Sequence, residues 1–176
     1  RVQQASGETD LNLVGYCMGG VLSTLHAALH PRGPVKNLAV LTTPIDFSQM
    51  KLFSQWSDRR YFDVDKLVDA TGNVPPGMIY ESFNMLRPAD QITAKVHLWD
   101  QMWNDEFVKS YRMIGRWGRD ILPLPGELFR QMTKDLMWDN KLVRGELVLG
   151  GQRVDLRRIE LPLLHVVAEH DHIVPY

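Results

Sequence analysis

An α/β fold, a parallel sheet whose course is broken by one long helical insertion, is predicted for this chain by three observations. Apolar runs at residues 11–14, 38–42 and 163–168, each closed by turn or polar residues, have the character of buried parallel strands. Between the first two, apolar residues at Met18, Val21, Leu22, Leu25 and Leu29 keep the spacing of one helix face, and His30-Pro31-Arg32-Gly33-Pro34 ends that helix. Residues 47–151 then change character: they hold all five tryptophans and most of the methionines, and their periodicity is mainly helical. Strand, helix and strand make a βαβ unit, which predicts a right-handed crossover and a covered parallel sheet. The expected organisation is a core over residues 1–46, a helical cap over 47–151 and a return to the core over 152–176.

Each element has a local reason. In the insertion, residues 104–117 put Phe107, Tyr111 and Ile114 on one side, and residues 127–138 do the same with Leu128, Met132, Leu136 and Met137. Pro75-Pro76 and Pro123-Leu124-Pro125 punctuate it. Most of its aromatics are expected to form the cap's own core, leaving one or two for a substrate channel. The first residues read as the end of a helix, and a chain that starts at Arg1 and stops just past a strand is expected to be part of a longer protein.

Composition bounds the function. With 176 residues, 44% hydrophobic content and a formal charge of −1, the chain can bury one core and has no overall attraction for nucleic acid or an anionic membrane. Arg112, Arg116 and Arg119 cluster along one predicted helix, where a solvated face is the ordinary reading. A single cysteine excludes an internal disulfide, gives no support for a structural metal site and suits a reducing compartment. No membrane-spanning run is present, and no cofactor or metal is called for.

The chemistry concentrates at Gly15-Tyr16-Cys17-Met18-Gly19-Gly20, between the first strand and its helix. This is the pattern of a nucleophile elbow with sulfur in place of the usual oxygen. Direct packing of strand on helix is expected to leave no room for a Cβ at Gly15 or Gly19, two residues either side of Cys17. Cys17 is then strained and exposed at the sheet's carboxyl edge, with the Met18 backbone N–H as half of an oxyanion hole. A helix N-terminus favours a thiolate, and a thiolate suits acyl transfer between thioesters.

The second element follows the strand at 163–168: Glu169-His170-Asp171-His172-Ile173-Val174-Pro175. An acid past a strand's carboxyl end and downstream of the nucleophile matches the α/β-hydrolase order of nucleophile, acid, histidine. Asp171, shorter than Glu169, is the candidate acid, and a turn or capping role is the plainer alternative. No histidine follows at the expected spacing. His26 and His30 are on the first helix, His97 is in the insertion, and His165 is predicted inside a buried strand. His170 and His172 adjoin Asp171, and His172 is a candidate substrate contact or a solvated loop residue.

Taken together, the elbow with Leu29-His30-Pro31, Thr43-Pro44-Ile45-Asp46-Phe47, Tyr61-Phe62-Asp63-Val64-Asp65-Lys66, Gly72-Asn73-Val74-Pro75-Pro76, Asn140-Lys141-Leu142-Val143-Arg144-Gly145-Glu146-Leu147 and Asp171-His172-Ile173-Val174-Pro175 resembles the catalytic subunit of two-subunit poly(3-hydroxyalkanoate) synthases. The resemblance implies an α/β-hydrolase core with a mobile cap, a 3-hydroxyacyl-CoA substrate, a growing polyester chain and no cofactor. It makes Cys17 the covalent carrier and Asp171 the triad acid, or the residue that activates the 3-hydroxyl through the histidine. It also implies a second synthase subunit or a homodimer, and a cytoplasmic enzyme at the surface of polymer granules. The family's catalytic histidine falls outside this chain, so the chain alone is expected to be inactive. Two alternatives share the residues: a cysteine hydrolase of thioesterase or dienelactone type, and a non-catalytic α/β-hydrolase relative serving as a binding module.

Overall fold

In the computed structural model, which describes residues 1–171, 173 and 174, the chain enters through a short helix, α1 (Val2–Ser6). Gly7 closes it in the left-handed region (φ 76), where a residue without Cβ pays no steric cost. The first sheet strand, β1 (Leu11–Tyr16), leads through Cys17 into α2 (Met18–Leu29), and β2 (Val35–Leu41) returns beside β1 in parallel register. A 3₁₀ turn (Phe47–Gln49) and α3 (Lys51–Trp56) follow.

The chain then forms α4 (Val64–Thr71), the short strand β3 (Asn73–Val74), α5 (Pro76–Leu86), α6 (Pro88–Asp100) and α7 (Asp105–Arg119). The side chains of Asp63 and Asn104 cap α4 and α7 by accepting from the Lys66 and Phe107 N–H groups, at 3.0 and 3.1 Å. Pro76 and Pro88 begin α5 and α6, where a missing N–H costs nothing. After β4 (Leu124–Pro125) come α8 (Gly126–Gln131) and a π-helical stretch (Met132–Trp138). The last part holds α9 (Lys141–Arg144), the hairpin β5 (Val148–Leu149) and β6 (Gln152–Arg153), a 3₁₀ turn (Leu156–Arg158) and β7 (Leu163–Val166).

Two compact units result: Arg1–Phe62 with Met132–Tyr176, and Asp63–Gln131. In the first, the sheet runs β1-β2-β7 with all strands parallel, so the strand nearly last in sequence pairs with the second. Helix α2 backs this sheet, Ala27 clustering with Leu38 and Val40. The larger core joins Val21, Leu25 and Ala28 of α2 to Phe47, Met50, Leu136, Leu142, Leu147 and Val154. The stretch expected to be helical from 47 to 151 thus contains the second unit together with flanking segments that share the core of the first. In the second unit, Arg130 of α8 pairs with Asp65 and Asp69 of α4 and with Glu127, while β3 and β4 pair antiparallel.

One expectation about the sheet is corrected. Val14 is 66% and Tyr16 67% exposed, and all four residues of β7 are exposed. Among the described residues the sheet is covered on one face, where α2 packs on β1 and β2, and β7 is left exposed. His165 is therefore exposed in its strand rather than buried.

Candidate active site

Cys17 stands where β1 stops and α2 starts, and its backbone lies at φ 51 and ψ −118, in a residue with a side chain. Such a conformation costs about 1–3 kcal/mol and persists only where its surroundings enforce it. They do so from both sides. The Cys17 N–H donates to the Leu41 carbonyl of β2 at 2.9 Å, and the Cys17 carbonyl accepts from the Gly20 and Val21 N–H groups at 3.0 and 3.2 Å. The thiol makes no capping hydrogen bond to α2 and is half-buried, so the sulfur is left for other chemistry. Met18 is the first residue of α2, and its N–H has no carbonyl four residues back within the helix to receive it.

The glycines divide differently from expectation. A Cβ on Gly15 would lie 2.7 Å from the Gly19 carbonyl oxygen and from the Gly20 nitrogen, so no side chain fits there. A Cβ on Gly19 would meet nothing within 4 Å. The crowding expected at Gly19 falls instead on Gly20, where a Cβ would strike Thr43, approaching its Cγ2 to 2.7 Å. The helix's inner face turns toward the end of β2 one residue later than counting outward from the nucleophile suggests. Thr43 is buried, and its hydroxyl donates to the Leu41 carbonyl at 3.1 Å. Its neighbour Thr42 has φ 43, an outlier for a β-branched residue.

Asp171 lies beyond the carboxyl end of β7. Its Oδ1 accepts from the Ile173 and Val174 N–H groups at 2.8 and 3.0 Å, while Oδ2 takes no hydrogen bond from a described residue. One oxygen is anchored by backbone and the other is left for a further donor, as a triad acid requires; the same bonds also define a turn. The register pairs Tyr16 with Leu41 and Leu41 with Val166, so Cys17 and Asp171 both follow strands that end at one edge of one sheet, with β2 between them. His170 directly precedes Asp171 in sequence, whereas the histidines of α2 and α6 are elsewhere. His26 and His30 face each other with ring centroids 4.7 Å apart at the far end of α2 from Cys17, and His97 is in the last turn of α6. His172 lies outside the described residues.

A supporting network went unread in the sequence. Asp46 Oδ1 accepts from the Ser48 N–H at 3.0 Å, the Ser48 hydroxyl at 2.6 Å and the Asn140 amide at 2.8 Å. Asn140 Oδ1 in turn accepts from the Phe47 N–H at 3.2 Å. The Ser48 hydroxyl leads in holding the Asp46 carboxyl below its ordinary value; burial opposes it, and the Asn140 amide and the Ser48 N–H add to the lowering. Both residues sit in motifs quoted above, 94 positions apart, and spacing alone carries no sign that they touch. Among the described residues no group of three or more metal-ligating side chains is assembled.

The strand–turn–helix with a strained cysteine agrees with the family whose pattern runs along the entire chain: residues 1–176 match the model of the alpha/beta hydrolase fold. The chain belongs to the alpha/beta hydrolase fold family. This alpha/beta hydrolase is 35% identical over 176 residues to the poly(3-hydroxyalkanoate) polymerase subunit PhaC of Haloferax mediterranei, covering 99% of this chain and 36% of that protein. It is 37% identical to the subunit of the same name from Allochromatium vinosum, covering 99% of this chain and 49% of that one. The Synechocystis counterpart is 33% identical, over 97% of this chain and 47% of its own. The chain thus spans half or less of the length of these curated relatives, which are the kind of protein its motifs resemble.

Proposed function

We propose that this chain carries the nucleophile and the acid of a poly(3-hydroxyalkanoate) polymerase, an acyltransferase that releases CoA. The observation behind the reading is Cys17, held at φ 51 between a parallel strand and a helix N-terminus in a chain similar to such polymerases.

The reaction follows from thioester chemistry. The Cys17 thiolate attacks the carbonyl carbon of a 3-hydroxyacyl-CoA; the C–S bond to CoA breaks, and the departing CoA thiolate takes a proton. The negative charge on the carbonyl oxygen develops where the Met18 N–H can donate to it. The hydroxyl oxygen of another 3-hydroxyacyl group then attacks the Cys17 thioester, its proton passes to a base, and the thiolate is released as a new ester bond forms. Asp171 orients that base, a histidine contributed by sequence beyond this chain. Water competes for the same thioester, and keeping it out is the task that the sequence assigns to the inserted helices. The polymer, a second synthase subunit or homodimer, and a location at polymer granules are part of this reading.

The decisive experiment is intact-mass spectrometry of the full-length protein mixed with 3-hydroxybutyryl-CoA. An acyl adduct is expected on the wild type and none on Cys17→Ala; an adduct that persists in the Ala variant overturns the assignment. Free 3-hydroxybutyrate accumulating in place of polyester would instead indicate a thioesterase.

A further inference from the structure

Helix α7 presents a surface that the acyl-transfer chemistry does not use. Lys109, Arg112, Arg116 and Arg119 recur at three- and four-residue spacing, which brings them onto one stripe of the helix, and all four are exposed. None forms an ion pair with a described residue. Beside this stripe run Met113, Ile114 and Trp117, exposed to 60%, 66% and 78%. The opposite side of the helix is accounted for: Phe107, Tyr111, Gly115 and Gly118 are half-buried. A groove of 350 Å³ opens on the basic side, with Val108 and Met113 as its apolar floor and Lys109, Arg112 and Arg116 around it; Asp105 is the one acid lining it.

We propose that α7 docks on an anionic phospholipid surface. A solvated helix face would have no reason to pair four unneutralised cations with a tryptophan, a methionine and an isoleucine left in water. Lying in a lipid interface satisfies both halves at once, the cations meeting headgroup phosphates and the apolar row entering the acyl boundary. Charge complementarity selects the occupant: the chain as a whole carries −1, so the attraction comes from this stripe and not from net charge. The docking is peripheral, since no helix among the described residues is long and apolar enough to cross a membrane. The inference is independent of the acyl-transfer reading, because no step at Cys17 enters it.

The test is co-sedimentation of the full-length protein with vesicles of phosphatidylcholine alone and of phosphatidylcholine with phosphatidylglycerol. Wild type is expected to bind the anionic vesicles, to lose that binding as salt is raised, and to show a blue shift in tryptophan emission that Trp117→Ala diminishes. Arg112→Glu with Arg116→Glu should weaken vesicle binding by about tenfold or more, as reversal of charges near a lipid surface does. A milder Lys109→Gln with Arg119→Gln variant should weaken it less, with an unchanged thermal midpoint serving as the control for folding. Equal binding to both vesicle types, no binding to either, or undiminished binding by the reversed variant overturns the proposal. So does a charge-reversed variant whose only change is dissociation of an oligomer in sedimentation velocity, which assigns the stripe to a protein partner.

Discussion

At the scale of single residues, the elbow depends on where a Cβ can go. Gly19 sits in α2 with open space beside it, so Gly19→Ala is expected to leave stability unchanged or to raise it by about 0.5–1 kcal/mol through helix propensity. Gly20 faces Thr43, and Gly20→Ala should destabilise by about 1–3 kcal/mol, because the buried threonine has to move. Thermal unfolding of the two variants side by side checks the contrast, and equal midpoints would contradict it. Asp171 invites a kinetic test. If its Oδ2, which no described residue bonds, orients the histidine, Asp171→Asn in the full-length enzyme should leave folding intact and lower turnover by orders of magnitude. If it acts mainly on the attacking hydroxyl, rapid-quench measurement should show a first burst of CoA release followed by arrest. Wild-type rates in both steps would remove Asp171 from the site and turn attention to Glu169.

Between elements, the junction of β2 with the following 3₁₀ turn is tied to the segment before α9 by Asp46 and Asn140. Asp46 also caps the turn through the Ser48 N–H, so Asp46→Ala should cost about 0.5–2 kcal/mol, the usual loss for a cap. Because the two side chains share a hydrogen bond, Asp46→Ala and Asn140→Ala are expected to be non-additive by about 0.5–3 kcal/mol. A double-mutant cycle in denaturant measures the coupling, and strict additivity would mean that the network carries nothing.

For the molecule as a whole, acid sensitivity follows from carboxylates held below their ordinary range. The side-chain hydrogen bond from Arg60 and then its N–H bring Asp58 from an ordinary 3.8 down to about 2. Arg157 does the same for Asp155, again from 3.8 to about 2. The Arg59 guanidinium leads in lowering Asp139. A carboxylate that is more acidic when folded stabilises fully above its ordinary value and loses that contribution as protons bind. Stability is therefore expected to be flat near neutrality and to fall between pH 3.8 and about 2. These pairs are exposed, so the effect should be small and should shrink in high salt. Thermal midpoints across that range at two ionic strengths test it, and a midpoint independent of pH down to 2 would contradict it.

What the sequence determined by itself is local. An apolar run, two glycines and an apolar stripe at helical spacing define β1, Cys17 and α2, because strand, turn and helix are each decided by residues within a few positions of one another. The helical spacing over residues 104–117 is legible for the same reason, although Ile114, read on the side of Phe107 and Tyr111, is exposed. Tertiary structure decided the rest. Gly20 rather than Gly19 is crowded because Thr43 arrives from the end of another strand, and Asp46 meets Asn140 across 94 positions. Residues 47–62 and 132–151 read as part of a helical insertion, yet Phe47, Met50, Leu136, Leu142 and Leu147 bury themselves in the core around α2. Val14 of β1 and the residues of β7 read as buried, yet they are exposed. Periodicity records that a side chain is apolar, whereas burial depends on whether another element packs on that face, and here α2 covers only one side of the sheet.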